Sequence, residues 1–180
     1  MRIDLVTDTF LPDVNGVAMT LGRLAEGMRA RGHLLHVIRS GNSGGARCQS
    51  EARSLAVPGY REGRGGLPGP FKLRRRWIRK RPDGVYVATE SPLGRSAIKA
   101  ARSLGIPVVA GFHTNFQQYA DQYRMRGLGA AAMSYLRWVH QQADLTLAPS
   151  PEVVEMLRSE GVERVQQMSR GVDTELFHPE

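Results

Sequence analysis

Four stretches carry the residues with which this chain could do chemistry. The first is Thr7-Asp8-Thr9-Phe10-Leu11-Pro12-Asp13-Val14-Asn15-Gly16-Val17, a polar loop with a single Asn-Gly step. It has neither the Gly-x-Gly-x-x-Gly of a dinucleotide site nor the Gly-Lys-Ser/Thr of a P-loop, so both chemistries are disfavoured. What it offers is a glycine entering a helix, where unpaired N–H groups and the helix dipole favour an anion. A tight turn with no ligand reads the same way. The second stretch is His113, at the end of an apolar run and ahead of Thr114 and Asn115. An imidazole there serves as hydrogen-bond donor, as acid or base, or simply as a satisfied structural group. The third is Glu90, after Val85-Tyr86-Val87-Ala88-Thr89. It either contacts substrate hydroxyls or complements the dipole of the next helix. The fourth is Lys72-Leu73-Arg74-Arg75-Arg76-Trp77-Ile78-Arg79-Lys80-Arg81, with seven cations and no acid.

Other reactive types point nowhere in particular. His33, His36, His140 and His178 show no metal-ligand spacing and read as structural or surface residues, so no metal site is expected. Cys48 is the one cysteine. It cannot form an internal disulfide, which makes an ordinary free thiol in a reducing cytoplasm the expectation.

The elements that must position these groups alternate between short β-branched runs and helical periodicity, the pattern of a parallel sheet covered by helices. Strands are predicted at 3–7, 34–39, 84–89, 107–112, 145–148 and 164–168. Helices are predicted from Val17 to a stop at Gly32, over 71–81 until Pro82, and from Ser91-Pro92 to Gly105. Further helices fall over 116–124 and 128–142 and from Ser150-Pro151. The segment from Gly41 to Gly69 holds eight of the twenty glycines. It reads as flexible loop interrupted by one short strand at 54–57. The expectation is a three-layer α/β sandwich with six or seven mostly parallel strands. In such sheets ligands bind beyond the carboxyl ends of the strands. The loops at 8–16, Glu90-Ser91, His113-Thr114 and Ser150 all meet that edge.

Length and composition fit this picture. A chain of 180 residues suffices for one domain, and 41% apolar with 23% charged residues is ordinary for a globular protein. No apolar run approaches the ~18 residues of a membrane span. The start, Met1-Arg2-Ile3-Asp4-Leu5-Val6-Thr7, reads as a buried strand rather than a signal peptide. The seven cations of the fourth stretch account for all but one of the net +8, so the basicity is a local patch.

Four motifs in order resemble one family: Asp8-Thr9-Phe10-Leu11-Pro12…Asn15-Gly16-Val17, then Gly111-Phe112-His113-Thr114-Asn115-Phe116…Tyr119, then Ala143 to Ser150, and Ser169-Arg170-Gly171-Val172-Asp173 to Pro179. Together they are similar to the GT-B retaining glycosyltransferases of the family 4 type, in the bacterial branch of mannosyl- and glucosyltransferases acting on lipid or inositol acceptors. The resemblance implies a Rossmann-like domain over 1–168, the start of an interdomain linker over 169–180, and a carboxy-terminal donor-binding domain that this chain lacks. It implies that Asn15, Gly16 and Val17 lie against the diphosphate of a GDP- or UDP-linked sugar, with Thr114 and Arg170 also on the donor side. His113 would contact the donor sugar near the reaction centre. Asp8, Phe10, Glu90 and Tyr119 would face the acceptor. Transfer with retention needs no metal and no cofactor in that family. The chain, holding one wall of the cleft, is expected to be inactive alone.

The basic stretch leaves three readings. Lys72, Arg74, Arg75, Arg76, Trp77, Arg79, Lys80 and Arg81 would form an amphipathic helix on the anionic inner face of the cell membrane. A solvated surface helix is the plainer alternative. Nucleic-acid binding lacks a recognised motif and an aromatic platform and is not expected. A non-catalytic domain recognising a lipid or polyol is the rival to the transferase as a whole.

Overall fold

The computed structural model describes residues 1–40, 49–52, 54–56, 64–66, 69–113, 129–169 and 171. Seven strands form one parallel sheet: β1 (Arg2–Thr7), β2 (Leu34–Ser40), β3 (Gln49–Ala52), β6 (Gly84–Val87), β7 (Val108–Gly111), β8 (Leu145–Ala148) and β9 (Val165–Gln167), in the spatial order β3-β2-β1-β6-β7-β8-β9. Each of the six neighbouring pairs is parallel. The order reverses between β1 and β6, and a crevice at such a switch point is where doubly wound sheets take their ligands. A separate antiparallel pair joins β4 (Ser54–Ala56) to β5 (Arg64–Gly66). The expected six or seven mostly parallel strands are present.

Alternation along the central strands explains the layers. Leu5 and Tyr86 point to one face, where they meet Leu21 and Ala25 of α1 (Gly16–Ala30). Val6, Val85 and Val87 point to the other, against Leu73 and Trp77 of α2 (Pro70–Arg79) and Leu93, Ala97 and Ala101 of α3 (Pro92–Arg102). A third cluster packs Leu136 of α4 (Gly129–Gln141) and Leu157 of α5 (Pro151–Ser159) over Ala148 and Val165. Helix α3 approaches its strand so closely that a Cβ on Gly94 would lie 1.9 Å from the Thr89 carbonyl. Only glycine lets the helix start there.

The helix signals hold locally. Ser91 and Ser150 accept from the backbone N–H of Gly94 and Val153, with proline following each as the first helical residue. Gly32 and Gly105 end their helices at φ +79 and +60. The segment 41–69 is corrected: it contributes three strands rather than one. β3 exists through its ladder to β2, a tertiary contact that overrides its polar sequence. The expected helix over 116–124, Cys48, and the chain from 172 onward lie outside the described residues.

Candidate functional site

The loop after β1 is held by its own side chains. Asn15 caps α1, its Oδ1 accepting from Val17 N–H at 3.1 Å and Ala18 N–H at 2.9 Å, while its Nδ2 donates to Thr9 Oγ1 at 2.7 Å. Thr9 in turn donates to Asp13 Oδ2 at 3.0 Å. From β2, Arg39 donates to the Phe10 and Leu11 carbonyls, 3.3 Å each, and pairs with Asp13 at 3.8 Å. Ser40 donates to the Asp8 carbonyl at 2.8 Å. The peptide bond Leu11–Pro12 is cis.

This geometry sharpens the expected anion site. Two of the helix's first N–H groups are already satisfied by Asn15, so Val17 N–H does not stand open. The space beside Gly16 does: apart from its chain neighbours and its own helix backbone, no atom of the described residues lies within 4 Å of where its Cβ would be. Phe10, expected to face the acceptor, is corrected. Its ring is 3% exposed and packs with Leu21 and Leu35 in the core.

β7 delivers His113 to the same edge. Its Nε2 lies 2.8 Å from the Tyr86 hydroxyl, with the rings edge to face. Gly111 makes room for the pair, because a Cβ there would lie 2.2 Å from the Tyr86 oxygen and 2.6 Å from His113 Nε2. Burial first, then the Glu90 carboxylate, push the Tyr86 hydroxyl well above the ordinary tyrosine range, so it stays protonated.

Glu90, just past β6, is anchored from two sides. His140 of α4 places Nε2 at 3.3 Å from Glu90 Oε1 and Nδ1 at 3.1 Å from Thr146 Oγ1. Tyr135 donates to the Glu90 carbonyl at 2.7 Å. His140, read as structural or surface, is buried and holds a site loop. At the fourth loop, the Ser150 hydroxyl holds the exposed Glu152 carboxylate below its usual range.

The basic helix divides. Trp77 is corrected as a membrane contact: it is 1% exposed, and its indole N–H donates to the buried Asp4 carboxylate at 2.8 Å. Arg76 pairs with the same carboxylate at 3.5 Å. Lys72, Arg74, Arg75, Arg79, Lys80 and Arg81 are exposed. So are Phe71 and Ile78, at 86% and 58%, seven residues apart on the side of α2 opposite Leu73 and Trp77.

Thr114, Tyr119 and Arg170 lie outside the described residues. Among the described residues no cluster of His, Cys, Asp and Glu could hold a metal, and no helix is long and apolar enough to cross a membrane. A shallow concavity lined by His140, Gln141, Gly161, Val162, Glu163 and Arg164 lies at the opposite, amino-terminal edge of β8 and β9, away from the loops above. Sequence reasoning missed Arg39, Asp13 and Tyr86. Arg39 had a signal, a cation ending an apolar strand; Tyr86 had none.

A parallel sheet with this strand order, with polar loops gathered at its carboxyl edge, defines a Rossmann-like α/β fold of the GT-B type. Residues 14–176 match Glycosyltransferase Family 4, and the chain belongs to that family. It is 34% identical over 188 residues to a GDP-mannose-dependent alpha-mannosyltransferase of Mycobacterium tuberculosis (strain CDC 1551 / Oshkosh), covering 99% of this chain and 50% of the relative. It is 31% identical over 126 residues to an alpha-monoglucosyldiacylglycerol synthase of Acholeplasma laidlawii, covering 66% of this chain and 31% of that one. The fold is that of sucrose-phosphate synthase from Thermosynechococcus elongatus, with a TM-score of 0.64 at 14% identity, covering 99% of this chain and 50% of that one. The chain spans about half the length of the mannosyltransferase relatives it matches.

Proposed function

We propose that this chain forms the acceptor-side wall of a hexosyltransferase cleft, which moves mannose from GDP-mannose to a lipid or polyol acceptor with retention. The observation that carries this reading is the meeting of the Asn15–Gly16 loop, Glu90 and His113 at one sheet edge, in a chain whose full length aligns with a GDP-mannose-dependent relative. Gly16 offers the diphosphate its open backbone. His113 meets the donor sugar, and Asp8 and Glu90 face the acceptor. Thr114, Tyr119 and Arg170 belong to the same site by resemblance. The exposed cations of α2, with Phe71 and Ile78, hold the chain against an anionic membrane where a lipid acceptor resides.

Transfer of labelled hexose from GDP-mannose, and in parallel from UDP-glucose, to extracted bacterial lipids tests the proposal. It is measured for the 180-residue chain alone and for the chain joined to the carboxy-terminal half of the Mycobacterium relative. Activity only in the joined protein, with GDP-mannose preferred, is expected. Transfer by the chain alone would refute the one-wall reading. Folded joined protein inactive with both donors would favour the non-catalytic binding domain.

A further inference from the structure

Glu90 is held twice by one helix. Tyr135 and His140, both on α4, reach its backbone carbonyl and its side chain from 45 and 50 residues away in the chain. The His140 ring is enclosed, with its centroid 5.5 Å from that of Phe112, and its second nitrogen meets Thr146 on β8. Thr146 is 0% exposed. Among the described residues neither its hydroxyl nor the His140 ring has another hydrogen-bond partner. Glu90 has further interactions of its own, and the choice of proton positions lies with the two enclosed groups.

The hydroxyl carries one proton, and the ring one or two. A ring with both protons donates to Glu90 and to Thr146, and leaves the enclosed threonine proton without an acceptor. A ring protonated on Nδ1 alone strands the same proton, and also needs the Glu90 carboxyl to donate. A ring protonated on Nε2 alone accepts from Thr146 while donating to Glu90, and strands nothing. An unmade bond on an enclosed donor is the costly outcome.

We infer that His140 is a positioning residue for Glu90: Thr146 donates to its Nδ1, and the ring proton, kept on Nε2, is donated to Glu90 Oε1. The partner of one ring nitrogen sets the role of the other. The Glu90 side chain is thereby oriented by groups that solvent does not reach, while Tyr135 fixes the main chain of the same residue. An acceptor hydroxyl then meets a carboxylate whose place is set before it arrives, so binding need not order it first. This functional half rests on the reading of Glu90 as acceptor-facing.

Nitrogen-15 spectra of the uniformly labelled 180-residue chain at neutral pH, without substrate, read the arrangement. The ring is assigned among the five histidines by the signals lost in His140→Gln. Long-range proton–nitrogen correlations should show the single proton on Nε2 in at least about nine-tenths of molecules. The bare Nδ1 signal should move downfield in Thr146→Val and stay in place in Thr146→Ser. A ring with both protons, one protonated mainly on Nδ1, or an Nδ1 signal unmoved in folded Thr146→Val would overturn the inference. Kinetics of the joined protein read the consequence. His140→Asn keeps a partner for Thr146 but its amide ends short of Glu90, whereas His140→Gln reaches the carboxylate. The acceptor KM should rise roughly tenfold with asparagine and less than about threefold with glutamine, with the donor KM within about twofold in both. Equal acceptor KM values in the two folded variants would overturn the positioning role, because a histidine that only packs loses as much either way. Should either variant fail to fold, the wild-type and Thr146→Val spectra decide. Glu90→Ala is the separate check: an unchanged acceptor KM there would refute the acceptor-facing reading, while the spectra still judge the hydrogen bonds.

Discussion

Replacing Gly16 by alanine separates what the fold needs from what a ligand needs. The structure gives the fold no reason for glycine at this position. Its φ is not positive, and apart from its chain neighbours and its own helix backbone nothing among the described residues lies within 4 Å of the added methyl. The Asn15 cap bonds Val17 and Ala18, which the substitution does not touch. Exchanging glycine for alanine where the backbone permits it stabilises by about 0.4–1 kcal/mol, chiefly by restricting the unfolded chain. For a domain of this size that is a rise in Tm of about 1–4 °C.

The effect on a ligand has the opposite sign. In a helix the Cα–Cβ bond tilts toward the amino terminus. A methyl on residue 16 therefore projects over the edge from which a phosphate oxygen would reach the first N–H groups. Losing one charge-assisted hydrogen bond there costs about 1.5–3 kcal/mol, or roughly a ten- to hundredfold rise in the donor KM. Differential scanning calorimetry of the chain and donor KM in the joined protein read the two effects separately. A destabilised Gly16→Ala chain would refute the claim that packing leaves this site open. An unchanged KM at full stability would remove the diphosphate from Gly16.

Two further outcomes follow from the other face of the sheet. Asp4→Ala strands the Trp77 indole N–H and leaves Arg76 facing an empty site, for a loss of about 3 kcal/mol, while Asp4→Asn keeps an acceptor and loses about 1 kcal/mol. Urea unfolding that gave equal losses would show that the carboxylate is not what holds α2. The chain should co-sediment with anionic vesicles and not with neutral ones. Reversing Arg74 and Arg75 to glutamate should weaken that binding at least about thirtyfold, at about 1 kcal/mol per cation removed. Equal binding to both vesicle types, or none, removes the membrane contact.

What could be read from the sequence was whatever is encoded locally. Ser91-Pro92 and Ser150-Pro151 announce helix starts because a hydroxyl cap and a fixed φ act within one turn. β3 carries no such signal; Gln49, Ser50 and Glu51 make a strand only because β2 lies alongside. Trp77 shows how faces are misjudged. Leu73 and Trp77, four residues apart, mark the buried stripe, but Phe71 and Ile78 mark a second one, and amphipathic spacing alone does not say which faces in. The deciding fact was Asp4, a carboxylate inside a buried strand that required a donor from elsewhere. The Tyr86–His113 contact joins residues from two strands through their register and the small size of Gly111, none of which periodicity reports.

The loop after β1 also determines which substitution can be interpreted. Its shape comes from Arg39, Ser40, Asp13 and Thr9 within this chain, so a ligand meets a wall already ordered and need not spend affinity in ordering it. Asn15 is woven through that network, capping α1 with one atom and holding Thr9 with the other. A phosphate seeking the N–H groups of Val17 and Ala18 must first displace the cap, at about 1 kcal/mol. One that settles on Gly16 and the helix dipole displaces nothing. Substituting Asn15 would release the cap and the loop together, so lost activity would not distinguish a broken wall from a lost contact. Gly16 makes that distinction, because no packing among the described residues leans on the side chain it lacks.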